Sequence, residues 1–346
     1  GPGHTVTLSP VGAVHFPAVP ARAVTLDPQY EDLLLAVGRP HALVATGFAG
    51  NHDPHVWAQV PGLAGRLDPE ALPHIGPGLD KETLYALDAQ VHHIDPKRLL
   101  RTARWRPADL AEIARNVGPF FANRFSRTHV APDDEPYTFY DLWTLHETVA
   151  RVYRRPAPIQ ALRALHAELV ARIEARLPPI AERPRVGLVM HANGRFTPFV
   201  RSRPGFGTAH YRAVGARDAV AALCDAAYRD GGRVGPGLDA EGLLALDPDV
   251  LIMPFGTYPS MRPRFDALRA LAADPVVGRL RAMAHGRVYP GGTPLQGPIV
   301  YLFQTEMAAK QIYPHIFGEF RLDGAYPSSE RLFDRDRVAQ ALAGAP

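Results

Sequence analysis

Histidines, arginines and a few aromatics are the residues here whose types and spacing suit ligand chemistry. His52 and His55 flank Pro54, a spacing of three that permits a shared metal, with no third ligand close in sequence. Neutral imidazole is a common metal ligand. His92 and His93 are adjacent, and His191 follows the apolar run Val186 to Met190. Arg195, Arg201, Arg203 and Arg212 lie near enough to form a cationic rim. Guanidinium groups hold carboxylate and catecholate oxygens through forked hydrogen bonds. Phe48 and Trp57 suit an aromatic wall, and Phe255 follows an apolar strand. Tyr211 and Tyr258 could stack on a ligand or donate a phenolate to a metal. Each has a plainer alternative: a packed imidazole, an aromatic ring under its own loop, a solvated guanidinium.

Catalysis has little footing. The chain has no phosphate loop of the form G-x-x-x-x-G-K-[ST] and no G-x-S-x-G elbow. Asp133 and Asp134 sit in a polar, proline-flanked stretch and read as solvated. We therefore expect a binding protein and not an enzyme. The net charge of +3 comes from arginines spread along the chain, without a basic run that would suit nucleic acid. The single cysteine, Cys224, lies in an apolar helical stretch and reads as packing; alone, it excludes an internal disulfide and a cysteine-based zinc cluster. No apolar stretch approaches the ~18 residues of a membrane span. Gly1-Pro2-Gly3 reads as the scar of an expression-tag cleavage, by which an export signal would also have been lost.

The elements that must position these residues are announced by a repeat. Residues 76–91 (GPGLDKETLYALDAQV) and 235–250 (GPGLDAEGLLALDPDV) are identical at 11 of 16 positions, offset by 159 residues. That period is too long for a solenoid and points to two similar lobes, with a ligand cleft expected between them. In each copy an aspartate opens a helix and a short strand follows. In the first half Val24 to Leu26 reads as a strand, Asp27 and Pro28 as the opening of a helix through Val37, Ala42 to Thr46 as a strand, and Val91 to Ile94 as another. In the second half Val186 to Met190 and Leu251 to Phe255 are strands, Gly286 to Tyr289 a late strand and Gln296 to Tyr313 a final helix. Strands alternating with helices imply parallel sheets.

Between the halves, Ile159, Leu162, Leu165, Leu169, Ile173 and Leu177 recur at spacings of 3 and 4, one face of a long helix that Pro178 and Pro179 stop. Gly38 to Gly76 spans 18 residues more than Gly215 to Gly235, so the first lobe carries an insertion, read as a loop over residues 47–66. It holds Phe48, His52, Asp53, His55 and Trp57. In open parallel sheets, loops at the carboxyl ends of strands line the ligand crevice, which is also where His92 and His93 should fall, one facing inward and one outward. The fold class expected is α/β: two similar lobes with parallel sheets joined by one long interdomain helix. Its parts are residues 1–3 as the scar, 20–155 as the first lobe, 156–182 as the linking helix, 183–320 as the second lobe and 321–346 as a polar, partly disordered tail.

The segment Leu-Asp-x-Glu-x-Leu-x-Ala-Leu-Asp-x-x-Val in both halves resembles the helix–strand signature of class III substrate-binding proteins of ABC importers, which serve ferric siderophores, haem and cobalamin. Gly286-Arg287-Val288-Tyr289, Gln296-Gly297-Pro298, residues 308–314 and Gly118-Pro119-Phe120-Phe121 resemble the iron–siderophore branch, and the likeness covers about residues 20–320. It implies a ferric siderophore as ligand, with haem or cobalamin as the alternative, and no permanently bound cofactor. It also implies an extracytoplasmic protein, periplasmic or lipid-anchored, monomeric, and partnered by a permease and its ATPase. By position, Glu82 and Glu241 would be the docking residues on the permease; the plainer reading is a first-turn glutamate favoured by the helix dipole. Haem would need an axial ligand, for which His52, His92, His93, His191 and Tyr258 are available. Outside this class stand a metal-cluster enzyme on the same scaffold, which would need several cysteines, and a sensor module that has lost transport.

Overall fold

A computed structural model describes residues 2–130, 136–199, 204–229 and 235–344. The chain divides into two compact units. Unit 1 comprises Gly1–His166, Leu295–Tyr301 and Asp334–Pro346; unit 2 comprises Ala167–Pro294 and Leu302–Phe333.

Unit 1 opens with an antiparallel hairpin, β1 (His4–Leu8) and β2 (Gly12–Phe16), for which the sequence reading had no element. Then follow β3 (Ala23–Thr25), α1 (Gln29–Ala36), β4 (Leu43–Ala45), α2 (Pro54–Ala58), α3 (Lys81–Leu87), β5 (Val91–His93), α4 (Pro96–Leu100), α5 (Pro107–Asn116), α6 (Leu142–Ala150) and α7 (Ala157–Glu174), whose residues from Ala167 are counted in unit 2. The sheet is parallel in the order β4-β3-β5. Parallel bridges extend it at both edges, Thr46 to His74 and His92 to Phe120. All of β3 and β5 is buried, as expected of parallel strands covered on both faces. Val24, Leu84, Ile94, Ile113 and Phe120 belong to the core beneath.

Unit 2 carries β6 (Arg185–Ala192), β7 (Arg195–Pro198), α8 (Ala209–Ala213), β8 (Arg217–Asp218), α9 (Ala221–Arg229), α10 (Ala240–Leu246), β9 (Val250–Met253), α11 (Arg262–Ala270), α12 (Arg281–Ala284) and β10 (Val288–Pro290). Its parallel strands run β10-β9-β6-β8, and β7 folds back antiparallel on β6. Three helices end the chain: α13 (Pro298–Ile312), whose residues to Tyr301 are counted in unit 1 and the rest in unit 2, α14 (Pro314–Phe317) of unit 2 and α15 (Arg335–Ala343) of unit 1.

The sequence repeat is a repeat of structure. Asp80 Oδ1 accepts Thr83 N at 2.9 Å to cap α3, and Asp239 Oδ1 accepts Gly242 N at 2.8 Å to cap α10. Both helices end on a left-handed aspartate, Asp88 at φ 45° and Asp247 at φ 40°, a conformation a short polar side chain tolerates. β5 and β9 follow at the same interval and pair with the first strand of their sheets, β3 and β6.

Three readings need correction. Asp27 does not cap α1 with its side chain; Pro28 holds the cap position, and Asp27 turns to Arg124. The insertion is no plain loop, because Pro54 starts α2 within it. Residues 321–344 of the polar tail are structured: their polarity is one side of amphipathic structure, and Tyr326, Phe333, Val338 and Leu342 are buried. The apolar stripe from Ile159 to Ile173 is buried along α7. No helix among the described residues is long and apolar enough to cross a membrane.

Candidate functional site

The carboxyl end of the unit 1 sheet gathers charge. Asp27, just after β3, and Asp95, just after β5, are both buried. Asp27 forms an ion pair with the Arg124 guanidinium. Asp95 accepts the Arg124 backbone N–H at 2.8 Å, the Lys97 N–H at 2.9 Å and the Tyr137 hydroxyl. Burial raises the Asp95 carboxyl despite these donors. Arg124 Cζ lies 5.7 Å from the centroid of the Phe48 ring, within cation–π range. Arg98 and Arg127 crowd the same end. Burial, then the repulsion of Arg124, lowers Arg98 and pushes Arg127 down to about 10. Arg127 Nε is buried and has no hydrogen-bond partner. Among the described residues three guanidinium groups thus face two carboxylates, and an anion would relieve that imbalance.

Beside it, α1 presents two buried carboxyls, Glu31 and Asp32. Glu31 Oε1 accepts the Thr46 hydroxyl, and Oε2 lies 3.1 Å from His52 Nδ1. Burial raises Glu31; it also pulls His52 down, but the bond and charge of Glu31 outweigh this and leave His52 raised. The Gly47 carbonyl adds to that rise, yet no partner meets hydrogen-bond geometry at His52 Nε2. Asp32 Oδ1 accepts Trp57 Nε1 at 2.7 Å, while Oδ2 accepts Ile299 N at 2.7 Å and Val300 N at 3.2 Å, the first amides of α13. Burial pushes Asp32 up to about 7, and the three donors pull against it.

In unit 2 the ends of β9 and β10 meet through Phe255 N, which donates to Gly292 O at 2.7 Å. Phe199, Phe255 and Tyr258 form an aromatic ladder with centroids 6.5 and 6.1 Å apart. Phe48 (φ 59°) and Phe255 (φ 68°) both hold left-handed backbone at the carboxyl end of a strand. That conformation is costly for a bulky residue and concentrates at functional sites.

Several anticipated ligand contacts are interior instead. Trp57 is 5% exposed and spends its indole N–H on Asp32, so it is not an open wall. His92 and His93 are both fully buried, because the Phe120 segment closes the edge of β5. His92 Nδ1 contacts Gly118 O at 3.0 Å; His93 is held by Phe121 O at 2.8 Å and the Tyr153 hydroxyl at 2.7 Å. Burial lowers each to about 4. His93 has no nitrogen left for haem iron. Tyr211 is buried with its hydroxyl 2.9 Å from Gln311 Oε1, and Tyr258 is buried as well. Arg195 clamps the Pro236 and Gly237 carbonyls at 3.1 and 3.0 Å. Arg212 reaches the Gly205 carbonyl at 2.7 Å. Arg201 and Arg203 lie outside the described residues, as do Asp133 and Asp134.

His191 is half-buried against Phe196, 4.8 Å between centroids, and burial lowers it. His55 pairs with Asp53 and does not join His52. Glu82 and Glu241 are exposed in the first turns of α3 and α10, with no ion pair among the described residues. The sequence reading missed Arg98, Arg124 and Arg127, whose separation along the chain gave no motif. Glu31 and Asp32 had a usable signal: two acids inside the apolar run Tyr30 to Val37.

No protein-family model and no curated protein matches the chain. Solved structures do. The siderophore-binding protein BauB, solved with two acinetobactin molecules and ferric iron, aligns at TM-score 0.59 and 18% identity over 90% of this chain and 98% of its own. The petrobactin-binding protein YclQ from Bacillus subtilis aligns at 0.62 and 14%, over 90% and 99%. The heme-binding protein RhuT from Roseiflexus sp. RS-1 aligns at 0.56 and 18%, over 84% and 97%. These neighbours are binding proteins, not enzymes, and the fold is that of the two-lobe periplasmic binding proteins.

Proposed function

We propose that this chain, with the fold of the periplasmic binding proteins, is the solute-binding component of an ABC importer and captures an anionic ferric siderophore outside the cytoplasm. The observation that carries the reading is the guanidinium excess, among the described residues, of Arg98, Arg124 and Arg127 at the carboxyl end of the first sheet, with the ring of Phe48, whose backbone is left-handed, against Arg124. A negatively charged chelate supplies the missing counter-charge there, and forked guanidinium contacts suit its carboxylate or catecholate oxygens. BauB and YclQ support this ligand class by what their names say they bind. Glu82 and Glu241, exposed at equivalent places in two equally capped helices, are the docking residues for the permease in this reading.

Isothermal titration of the purified protein with anionic ferric catecholates and carboxylates, a neutral ferric hydroxamate, haemin and cobalamin tests it. Saturable sub-micromolar binding of an anionic ferric chelate, weakening steeply between 50 and 500 mM salt (about a tenfold range of ionic strength), is the expected result. Preference for haemin, with RhuT as the structural precedent, would move the assignment to haem. Binding of none of them would remove it.

A further inference from the structure

We propose a divalent transition-metal site in unit 1, formed by His52 of the insertion with Glu70 and His74 just beyond it, and with zinc as the fitting ion. Their donor atoms lie within 4.8 Å of one another. His52 Nε2 is 3.9 Å from Glu70 Oε1, and His74 Nε2 is 3.5 Å from Glu70 Oε2. Ligands around tetrahedral zinc, with bonds of about 2.1 Å, sit roughly 3.4 Å apart. Glu70 and His74 are exposed and can close the remaining distance; His52 is the fixed member.

What separates this from a chance cluster is the support behind it. The His52 side chain is fully buried, and its Nε2 has no hydrogen-bond partner. With Glu31 accepting a hydrogen bond from Nδ1–H, the neutral imidazole has its lone pair on Nε2, on the side of Glu70 and His74. The Thr46 hydroxyl holds the other Glu31 oxygen. Carboxylate–histidine–metal relays of this kind orient metal ligands generally. Gly50 N donates to both Glu70 oxygens at 2.9 and 3.2 Å. Thr46 N donates to Pro73 O at 3.0 Å and Ile75 N to Thr46 O at 2.7 Å, so His74 is set beside the end of β4. Two imidazoles and a carboxylate select zinc-like ions over calcium or magnesium, and three protein ligands leave a fourth position for water or a ligand oxygen. On binding, any proton on Nε2 leaves to solvent and the metal takes its lone pair.

The test needs no siderophore, so it stands or falls apart from the transport reading. Protein stripped with EDTA and dialysed against micromolar zinc should carry one equivalent by mass spectrometry, with two imidazoles in its X-ray absorption spectrum and no calcium uptake. Glu70→Gln and His74→Ala, both at exposed positions, should each weaken zinc at least about tenfold, while His55→Ala should match wild type. Zinc below one-tenth of an equivalent, unchanged affinity in both variants, or an equal loss in His55→Ala would overturn the proposal.

Discussion

Gly297→Ala is a one-methyl test of how α1 meets the start of α13. A Cβ at Gly297 would sit 2.5 Å from Asp32 Oδ2, 2.6 Å from Asp32 Cβ and 2.7 Å from Gln29 O. Two of these atoms belong to the rigid part of a buried helix and cannot swing aside, so Asp32 must be displaced. Its Oδ2 then loses the Ile299 and Val300 amides, bonds to a charged acceptor worth about 1.5–3 kcal/mol each, part of which water or repacking recovers. With the overpacking cost of about 1–3 kcal/mol, the expected loss is roughly 3–5 kcal/mol. For a unit of this size that is about 8–15 °C in melting temperature. Calorimetry and urea unfolding read it directly. Asp32→Asn offers a second view: its single amide oxygen can serve Trp57 or the α13 amides but not both, at about 1–3 kcal/mol. A Gly297→Ala protein within about 0.5 kcal/mol of wild type would refute the reasoning, since no relaxed arrangement of these atoms leaves the cap intact.

Three further outcomes follow from the geometry. Arg124→Ala leaves Asp27 buried without its cation and should cost about 3–5 kcal/mol, whereas Arg127→Ala should fold normally and weaken an anionic ferric chelate about tenfold or more in titration. His93 is held near 4 in the fold against 6.5 unfolded. The unfolded chain therefore takes up that proton first as pH falls, and the residue's contribution, complete above about 6.5, is lost between 6.5 and 4. By linkage a His93→Phe variant should show a drop in unfolding free energy from pH 7 to pH 5 about 2 kcal/mol smaller than wild type. Glu82→Ala with Glu241→Ala should leave stability within about 0.5 kcal/mol and ligand affinity unchanged while abolishing uptake in reconstituted transport; normal uptake would end the docking assignment.

The repeat made much of the fold legible, because each copy carries its own boundary chemistry. Asp80 and Asp239 are the caps their positions suggested, and the strands after them pair as expected. The α7 stripe was equally plain. Alternation failed at His92 and His93, since period-2 reasoning separates inside from outside only where one face of a sheet is solvated. Nothing local in the sequence disclosed that the Phe120 segment would close that edge. Arginines at 98, 124 and 127 converge only through tertiary folding, and their placement depends on Asp27, which the pattern Asp-Pro had suggested for capping. The metal reading went astray in an instructive way. His52 was singled out with its neighbour at spacing three, but His55 turns to Asp53, and the groups facing His52 arrive from 18 and 22 residues away.

All three tryptophans of the chain, Trp57, Trp105 and Trp143, belong to unit 1, and each is at least 92% shielded from solvent. Emission from this protein is therefore a report from one half of it. Contact quenchers in solution will scarcely reach these indoles, so dimming by a coloured iron chelate would arise by energy transfer through space, and the colourless gallium analogue should leave it nearly unchanged. Unit 2 is spectroscopically dark in this channel but contributes fully to circular dichroism. Unfolding curves from the two signals would superimpose only if both halves melt as one cooperative body, which makes the native sequence its own label for measuring how strongly they are coupled.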